Sequence, residues 1–467
     1  MNISDLLTRS EGKTLEFKRD LSSPRNILRT VCAFSNCAGG TLVIGVEDAD
    51  RSVVGVEDAI DAETRLANII SDGVSPRLVP GIDAVRFGDS SVLVVSVDLG
   101  PLRPYHVVKD GPQQGVLARV GSTNRHVDDA FIRELARSAQ GQPFDEQPSR
   151  DRTAADLDLD RIRGLFAGVR SVGARELRSL HLLTDDADRD AATVGGVLLF
   201  GRQRDTDFPD ASIRCARFKG VTRGVFLDSQ DLGGCLPDQV DAAMAFVQRN
   251  TTRRLEPSGL RNETWWEYPL AAIREAVCNA VVHADYSQSG SPLRVAIYDD
   301  RIEIENPGLL VPGVTVESML EGRSRLRNRV VARVFRELGL IEDWGNGVRR
   351  MLEGCRGAGL PDPVFEEVGL AFRVTIFNSR EHEPQLDPVD SAITKLLREG
   401  GGLSTGELAE MVGRTPRAMR TRIKRLLDSG LLTQLGTGPN DPNKKYFLAE
   451  DRAPYRSRPG RLPPQGD

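Results

Sequence analysis

The chain has no apolar run approaching the roughly 20 residues that a membrane-spanning helix needs. Its opening, MNISDLLTRSEGK, also lacks the hydrophobic core of a secretory signal. No membrane partner is expected, and a cytoplasmic location is. The six cysteines, Cys32, Cys37, Cys215, Cys235, Cys278 and Cys355, contain no C-x-x-C pair, so neither a zinc site nor a disulfide framework is indicated. A phosphate loop is missing too. Gly12-Lys13-Thr14 ends like one, but position 7 is Leu where G-x-x-x-x-G-K-T needs its first glycine, which argues against a helicase. A net charge of −5 speaks against a surface coated throughout for nucleic acid but leaves room for a local basic patch. No heptad seam supports the homodimer that a DNA-binding chain often forms.

What is present suits a soluble chain of three or four domains: 467 residues, 39% hydrophobic and 28% charged. The expected fold class is α/β (α+β) and multidomain. Its centre is Arg274–His283, REAVCNAVVH, where Glu275, Asn279 and His283 recur at i, i+4 and i+8 and share one helix face. Ala276, Val277, Ala280 and Val281 fall off that line and can bury. Such a polar row is either a half-buried seam or a ligand site, because desolvating it costs free energy unless something binds. Further on, the alternating run Arg301–Glu305 reads as a strand ending in the turn Asn306-Pro307-Gly308. Gly345-Asn346-Gly347 then precedes a helical run, Val348–Cys355, offering bare N–H groups where phosphate binds well.

Helix seam, turn after a strand and Gly-x-Gly before a helix, in that order, resemble the GHKL ATP-binding fold, in the divergent form found in RecG-related, Schlafen-type bacterial regulators. The resemblance implies that Glu275 orients or deprotonates the attacking water, that Asn279 ligates Mg²⁺, and that His283 lies near the phosphates. It also implies that Asn306 stands where an aspartate usually reads the adenine amine, that Gly308 keeps the turn, and that Gly345 and Gly347 receive phosphate. Arg323, Arg325 and Arg327 would be lid charges. The second glycine of the usual D-x-G-x-G is replaced by Leu309 or Leu310, so binding of ATP is better supported than its turnover.

Residues 1–140 form the first domain. Leu15-Glu16-Phe17-Lys18 and the run Ala33–Val46 resemble the Alba-like domain of the Schlafen superfamily, which implies nucleic-acid binding and, in some relatives, metal-assisted RNA cleavage. Ile27–Cys37 reads as a helix, and Thr41–Val46 and Ser52–Val56 as strands joined by a hairpin-like connection. Glu11, Glu16 and Asp48 are the carboxylates a nuclease reading would use to hold a metal. Lys18, Lys109, Arg119 and Arg125 are candidate phosphate contacts. In the bland alternative, Glu16 pairs with Lys18 and Asp48 serves its turn.

Polar, proline-containing 141–154 reads as a linker. Residues 155–262 read as an α/β connecting segment without a catalytic motif, in which Val194–Phe200 is the apolar end of a helix-then-strand run. The ATP-binding domain is placed at 263–380, with Trp344 as core or pocket wall, and a second linker at 381–388. At 389–450, a helix, a second helix opened by the Ser404–Glu407 capping box and a third capped by Thr415 before Pro416 precede a hairpin, the order of a winged helix-turn-helix. On the third helix, Arg417 and Arg420 reach toward base edges, while Arg422, Lys424 and Arg425 suit phosphates or solvent. The tail, 451–467, is expected to be disordered. DNA is the expected partner, with RNA the alternative. The leading function is an ATP- and Mg²⁺-binding transcriptional regulator, against a metal-dependent nuclease or a scaffold with a degenerate pocket.

Overall fold

The computed structural model describes residues 3–48, 50–186, 189–258, 261–342, 345–378, 388–400, 402–428, 432–435 and 444–448. Expectations for Trp344, the 381–387 part of the second linker, the wing connection and the tail lie outside them. No described helix is long and apolar enough to cross a membrane.

The first domain is built on β1 (Leu15–Lys18), α1 (Pro24–Asn36), β2 (Gly40–Ile44), α2 (Ala59–Gly73), β3 (Gly81–Phe87) and β4 (Ser90–Val97). Its sheet has the order β1-β2-β4-β3, with β1 parallel to β2 and the other pairs antiparallel. Helix α1 starts with proline in its first turn, a position that needs no N–H partner, and lays Ile27, Val31 and Phe34 on Leu42, Ile44 and Leu93. A hairpin, β5 (Leu117–Val120) and β6 (Thr123–His126), and α3 (Asp129–Gln140) complete the domain. Ser52–Val56 is not the expected strand. Only Val53 bridges Val46, because the N–H groups of Val54 and Gly55 both turn onto the Gly45 carbonyl where the two glycine backbones cross.

The 141–154 stretch is not a linker. It carries a 3-10 turn, Phe144–Glu146, and β7 (Pro148–Thr153). The middle segment continues with α4 (Leu159–Phe166), β8 (Leu183–Asp186), β9 (Arg189–Thr193), α5 (Val194–Phe200), β10 (Ile213–Lys219), β11 (Val225–Leu232) and α6 (Leu236–Asn250). Val194–Phe200 is therefore a helix following a strand, the reverse of expectation. All seven residues are buried, which is why the run showed no amphipathic period.

The next elements are α7 (Leu270–His283), β12 (Leu293–Ile297), β13 (Arg301–Pro307), α8 (Arg329–Glu337), α9 (Gly347–Gly357), β14 (Val364–Val368) and β15 (Ala371–Phe377). They share a six-stranded sheet of order β11-β10-β12-β13-β15-β14 with the middle segment. Strands β10 and β12 are parallel from Ile213↔Leu293 to Arg217↔Ile297, so the segment expected to be a connector supplies a third of the sheet. One hydrophobic core runs from Leu157 to Ile376 beneath α6 and α7. Asp145 locks the turn at 144–146 onto this unit: fully buried, it accepts from the N–H groups of Arg329, Val330 and Val331 (3.1, 2.6 and 3.1 Å) at the start of α8.

The last domain has α10 (Pro388–Gly400), α11 (Thr405–Met411), α12 (Pro416–Asp428), β16 (Leu432–Leu435) and β17 (Lys445–Leu448), with the two strands antiparallel. Ile393, Leu397, Leu408, Met419, Ile423 and Leu426 form its own core. The capping box is present: the Glu407 N–H reaches Ser404 Oγ at 3.3 Å, and Ser404 N–H reaches Glu407 Oε2 at 2.7 Å.

Candidate functional site

Helix α7 buries Ala272, Ile273, Ala276, Val277, Cys278, Ala280 and Val281 in the core and leaves Glu275, Asn279 and His283 on the wall of a cavity. Eight residues of helix at about 1.5 Å each separate the two ends of that row by about 12 Å. The cavity's remaining walls come from Asn306, from Leu309–Val311 and Val314, from Arg323–Arg327, and from Gly345, Gly347 and Arg350. All the polar positions expected on α7, together with Asn306, Gly345 and Gly347, thus meet in one place. Gly308 stands directly behind, with φ +97°.

At the Glu275 end, Asn279 Nδ2 donates to Glu275 Oε1 at 3.1 Å and Arg350 Nη2 to Glu275 Oε2 at 2.7 Å. Arg350 also pairs with Glu342. The first residue of α9 leaves room for this carboxylate, since a Cβ on Gly347 would lie 2.0 Å from Glu275 Oε1 and would push the Glu275 side chain aside. Gly345, at φ +64°, opens the turn before it. The Glu275 carboxylate is held by its neighbours, and acting as a base would require Arg350 to release it. Asn279 Oδ1 remains available as a hard oxygen ligand for a metal–phosphate complex. Among the described residues no group of three or more His, Cys, Asp or Glu is placed to hold a metal by itself.

At the other end, burial, and after it the charge of neighbouring Arg327, lowers the His283 pKa to about 4 and keeps the imidazole neutral near pH 7. The polar row thus runs away from Glu275 toward the Asn306 turn, and His283 stands at that end rather than beside the phosphate-type glycines. Asn306 is buried and donates through Nδ2 to the Pro307 carbonyl at 3.2 Å, leaving Oδ1 as acceptor. Arg327 is 5% exposed and donates through Nη2 to Leu309 O at 2.7 Å, while Nη1 has no hydrogen-bond partner. An acceptor at one end, bare helix-start N–H groups at the other and an arginine-rich rim are the chemistry a nucleoside polyphosphate requires, so the residues present fit the group.

The first domain's carboxylates are arranged differently. Glu16 is buried and ion-paired with both Lys18 and Arg119. Glu11 accepts the Phe17 N–H at 2.7 Å, and Arg51 Nη1 lies 3.8 Å from Glu11 and 3.9 Å from Asp48. Burial first, then the charges of Glu16 and Asp48, raise the Glu11 pKa. The three carboxylates are neighbours, but cationic side chains occupy the ground between them that a metal would need. Arg119 is not the expected phosphate contact, because at 1% exposure it is spent on Glu16, Asn124 and the Gly12 carbonyl.

On the basic helix α12, Arg420 and Lys424 are exposed one turn apart. Arg422 instead reaches back to buried Asp390 at 2.9 Å, bracing α12 on α10, so its guanidinium is not turned to solvent as expected. The side chains of Arg417 and Arg425 lie outside the described residues.

Comparison with known families agrees with this division. Residues 11–128 match the Schlafen AlbA_2 model, residues 290–376 the model described as "Putative ATP-dependent DNA helicase recG C-terminal", and residues 386–433 a winged helix-turn-helix DNA-binding model. The chain joins a Schlafen AlbA_2 domain, a RecG-type ATPase-like domain and a winged helix. The ATPase-like match begins after His283, so the place of α7 in the site rests on its geometry. Solved structures are similar too, two of which follow. One, the DIP2311 protein of Corynebacterium diphtheriae, is 22% identical, with 96% of each chain covered and a TM-score of 0.43. The other, the N-terminal domain of a RecG-related protein of Nitrosomonas europaea, is 23% identical, covering 27% of this chain and 94% of its own, with a TM-score of 0.21. No curated protein matches.

Sequence reasoning missed two residues of this region. Asp145 carried no signal, because its partners lie 184 to 186 positions away. Arg327 was one of three lid arginines, and only its burial against Gly308 singles it out.

Proposed function

We propose that the chain is a cytoplasmic DNA-binding transcriptional regulator in which Mg·ATP, held in the ATPase-like cavity, changes how the other domains hold nucleic acid. Asn279 would hold Mg²⁺, which would supply positive charge against the phosphates. Gly345, Gly347, Arg323 and Arg325 would receive the phosphates and Asn306 the base.

The observation that carries the reading is where the cavity wall is fastened. Leu309 packs on Cys37, Val116, Ala118, Phe131 and Leu135 of the Schlafen domain. The Gly313 N–H donates to Cys37 O at 2.7 Å, and the Leu310 N–H to Glu367 at 2.9 Å, whose carboxylate also pairs with Lys13. The strip Leu309–Val314 therefore faces a ligand on one side and the Schlafen domain on the other. A ligand that moves this strip must work against that contact, and differential affinity for two arrangements is what linkage requires.

The test is labelled duplex from upstream of the chain's own gene, incubated with Mg²⁺, with and without ATP, at two salt concentrations, and scored for mobility and length. Retarded, intact duplex whose affinity shifts with ATP and falls with salt is expected. Shortened duplex would replace this reading with the nuclease.

A further inference from the structure

Arg350 stands where two walls of the cavity meet. It lies in the first turn of α9, and a helical side chain leans toward the start of its helix, which carries the guanidinium back over Gly347. The contacts agree. Arg350 Nη2 donates to Glu275 Oε2 at 2.7 Å, while the other oxygen of that carboxylate is the one a Cβ on Gly347 would meet at 2.0 Å. Arg350 Nη1 pairs with Glu342, on the connection between α8 and α9. Glu275, Glu342, Gly345, Gly347 and Arg350 all line the cavity, so the cluster belongs to the end assigned to phosphate.

Two carboxylates facing a polyphosphate would repel it. Among the described residues, Arg350 is the one cation within ion-pair distance of either. It is not used up by them. A guanidinium carries five N–H donors in a rigid fork, and two contacts, to Glu275 and Glu342, leave the rest of the fork unspent. The side chain is 37% exposed and lines the cavity, so the remaining donors can be reached from it. The carboxylates also hold the fork in one orientation, which reduces the rotamer freedom that a flexible arginine loses on meeting a ligand. Arg323, by contrast, is 78% exposed and 3.8 Å from Glu321, a solvated rim charge without such a brace.

We infer that Arg350 is a polyphosphate-binding residue of the cavity, its guanidinium shared between Glu275, Glu342 and the phosphate oxygens of the nucleotide; this rests on the nucleotide reading of the cavity. It cancels carboxylate charge that would otherwise face the phosphates and offers them charge-assisted donors.

The experiment is calorimetric titration of the full chain with ATP and with AMP, both in Mg²⁺, for the native sequence, E275Q/E342Q and E275Q/E342Q/R350M. The readout is the ratio of the ATP to the AMP association constant within one variant, so partial loss of folded protein does not affect it. Replacing both carboxylates first removes the indirect route by which Arg350 could act, through neutralising them. Charge-assisted hydrogen bonds to the added phosphates are worth about tenfold or more in affinity. R350M should therefore lower the ratio by about tenfold or more in the E275Q/E342Q background, and R350K in its place should keep part of it. An unchanged ratio overturns the role of Arg350 while the nucleotide reading stands. Equal binding of ATP and AMP by the native chain overturns it too, because nothing then reads the added phosphates. Failure of the native chain to bind either overturns the nucleotide reading itself.

Discussion

The carboxylate group of the Schlafen domain and the cavity of the ATPase-like domain hold similar numbers of ionisable residues and differ in how those residues are met. Around Glu16, Glu11 and Asp48 every carboxylate faces a cation of the same domain: Lys18, Arg119 or Arg51. In the cavity Glu275 is met in the same way by Arg350, but Arg327 Nη1 is buried without a hydrogen-bond partner and Asn306 Oδ1 is left as an acceptor. Residue types alone made both regions candidates. What separates them is the unmet groups, since a self-neutralised cluster gains little from a ligand whereas a buried orphan donor gains much.

The sharpest way to break this comparison is to remove one member of the closed cluster. Arg119→Met leaves buried Glu16 with Lys18 as its remaining ion-pair partner, and loss of a partner from a buried ion pair costs up to about 3–5 kcal/mol. Denaturant unfolding should show that loss in the Schlafen domain, and a change under about 1 kcal/mol would mean that Glu16 is not truly dependent on Arg119.

A smaller effect separates two arginines on α12. Arg420→Ala should weaken specific DNA binding by about 1–3 kcal/mol if the side chain reaches a base edge. Arg422→Ala should instead lower the melting temperature of the winged helix, because it removes the ion pair between α12 and buried Asp390. Band-shift titration beside thermal melting checks both, and equal loss of DNA affinity at both positions would erase the distinction.

The cavity should also show itself in pH dependence. The His283 pKa falls from 6.5 to about 4 on folding, so between those values the unfolded chain binds the extra proton and stability is lost as pH drops from about 6.5 toward about 4. Asp145 works in the opposite sense. Burial, opposed by its three N–H partners, raises its pKa to about 7, so its contribution is present at low pH and is lost as pH rises through about 7. The two windows overlap with opposite slopes, so melting curves from pH 4 to 8 should show, relative to the native chain, a shallower rise of stability between about pH 4 and about 6.5 in His283→Gln and a steeper one in Asp145→Asn. The least effect is expected at Asp48, whose side chain is 69% exposed. Asp48→Ala should stay within about 0.5 kcal/mol by the same melts, and a larger change would show a role that the ion-pair geometry does not reveal.

Much of this was legible in the chain. The row Glu275, Asn279, His283 lies on α7 as its period demands, and the second and third helices of the last domain start at Ser404 and Thr415 as their caps require. Local chemistry wrote those features. The failures have a common cause in contacts distant along the chain. Val194–Phe200 is buried on every side, so no period distinguished helix from strand. The 141–154 stretch reads as polar connection because the helix start that Asp145 caps comes nearly two hundred residues later. The join of β10 to β12, which makes the middle segment part of the ATPase-like sheet, is likewise invisible to local pattern. In the site, spacing named the residues but could not say that Arg350 holds Glu275 or that Arg327 is left unmet.

The central claim is that the cavity and the nucleic-acid-binding domains are linked through the strip Leu309–Val314. Its most direct test is reciprocal: titrate the full chain with Mg·ATP in the presence and absence of saturating duplex from upstream of its own gene, and titrate the duplex with and without saturating Mg·ATP. The account predicts that each ligand changes the dissociation constant of the other, by the same factor in both directions. Tight binding of both with unchanged constants would contradict it, leaving the cavity and the winged helix as independent sites on one chain.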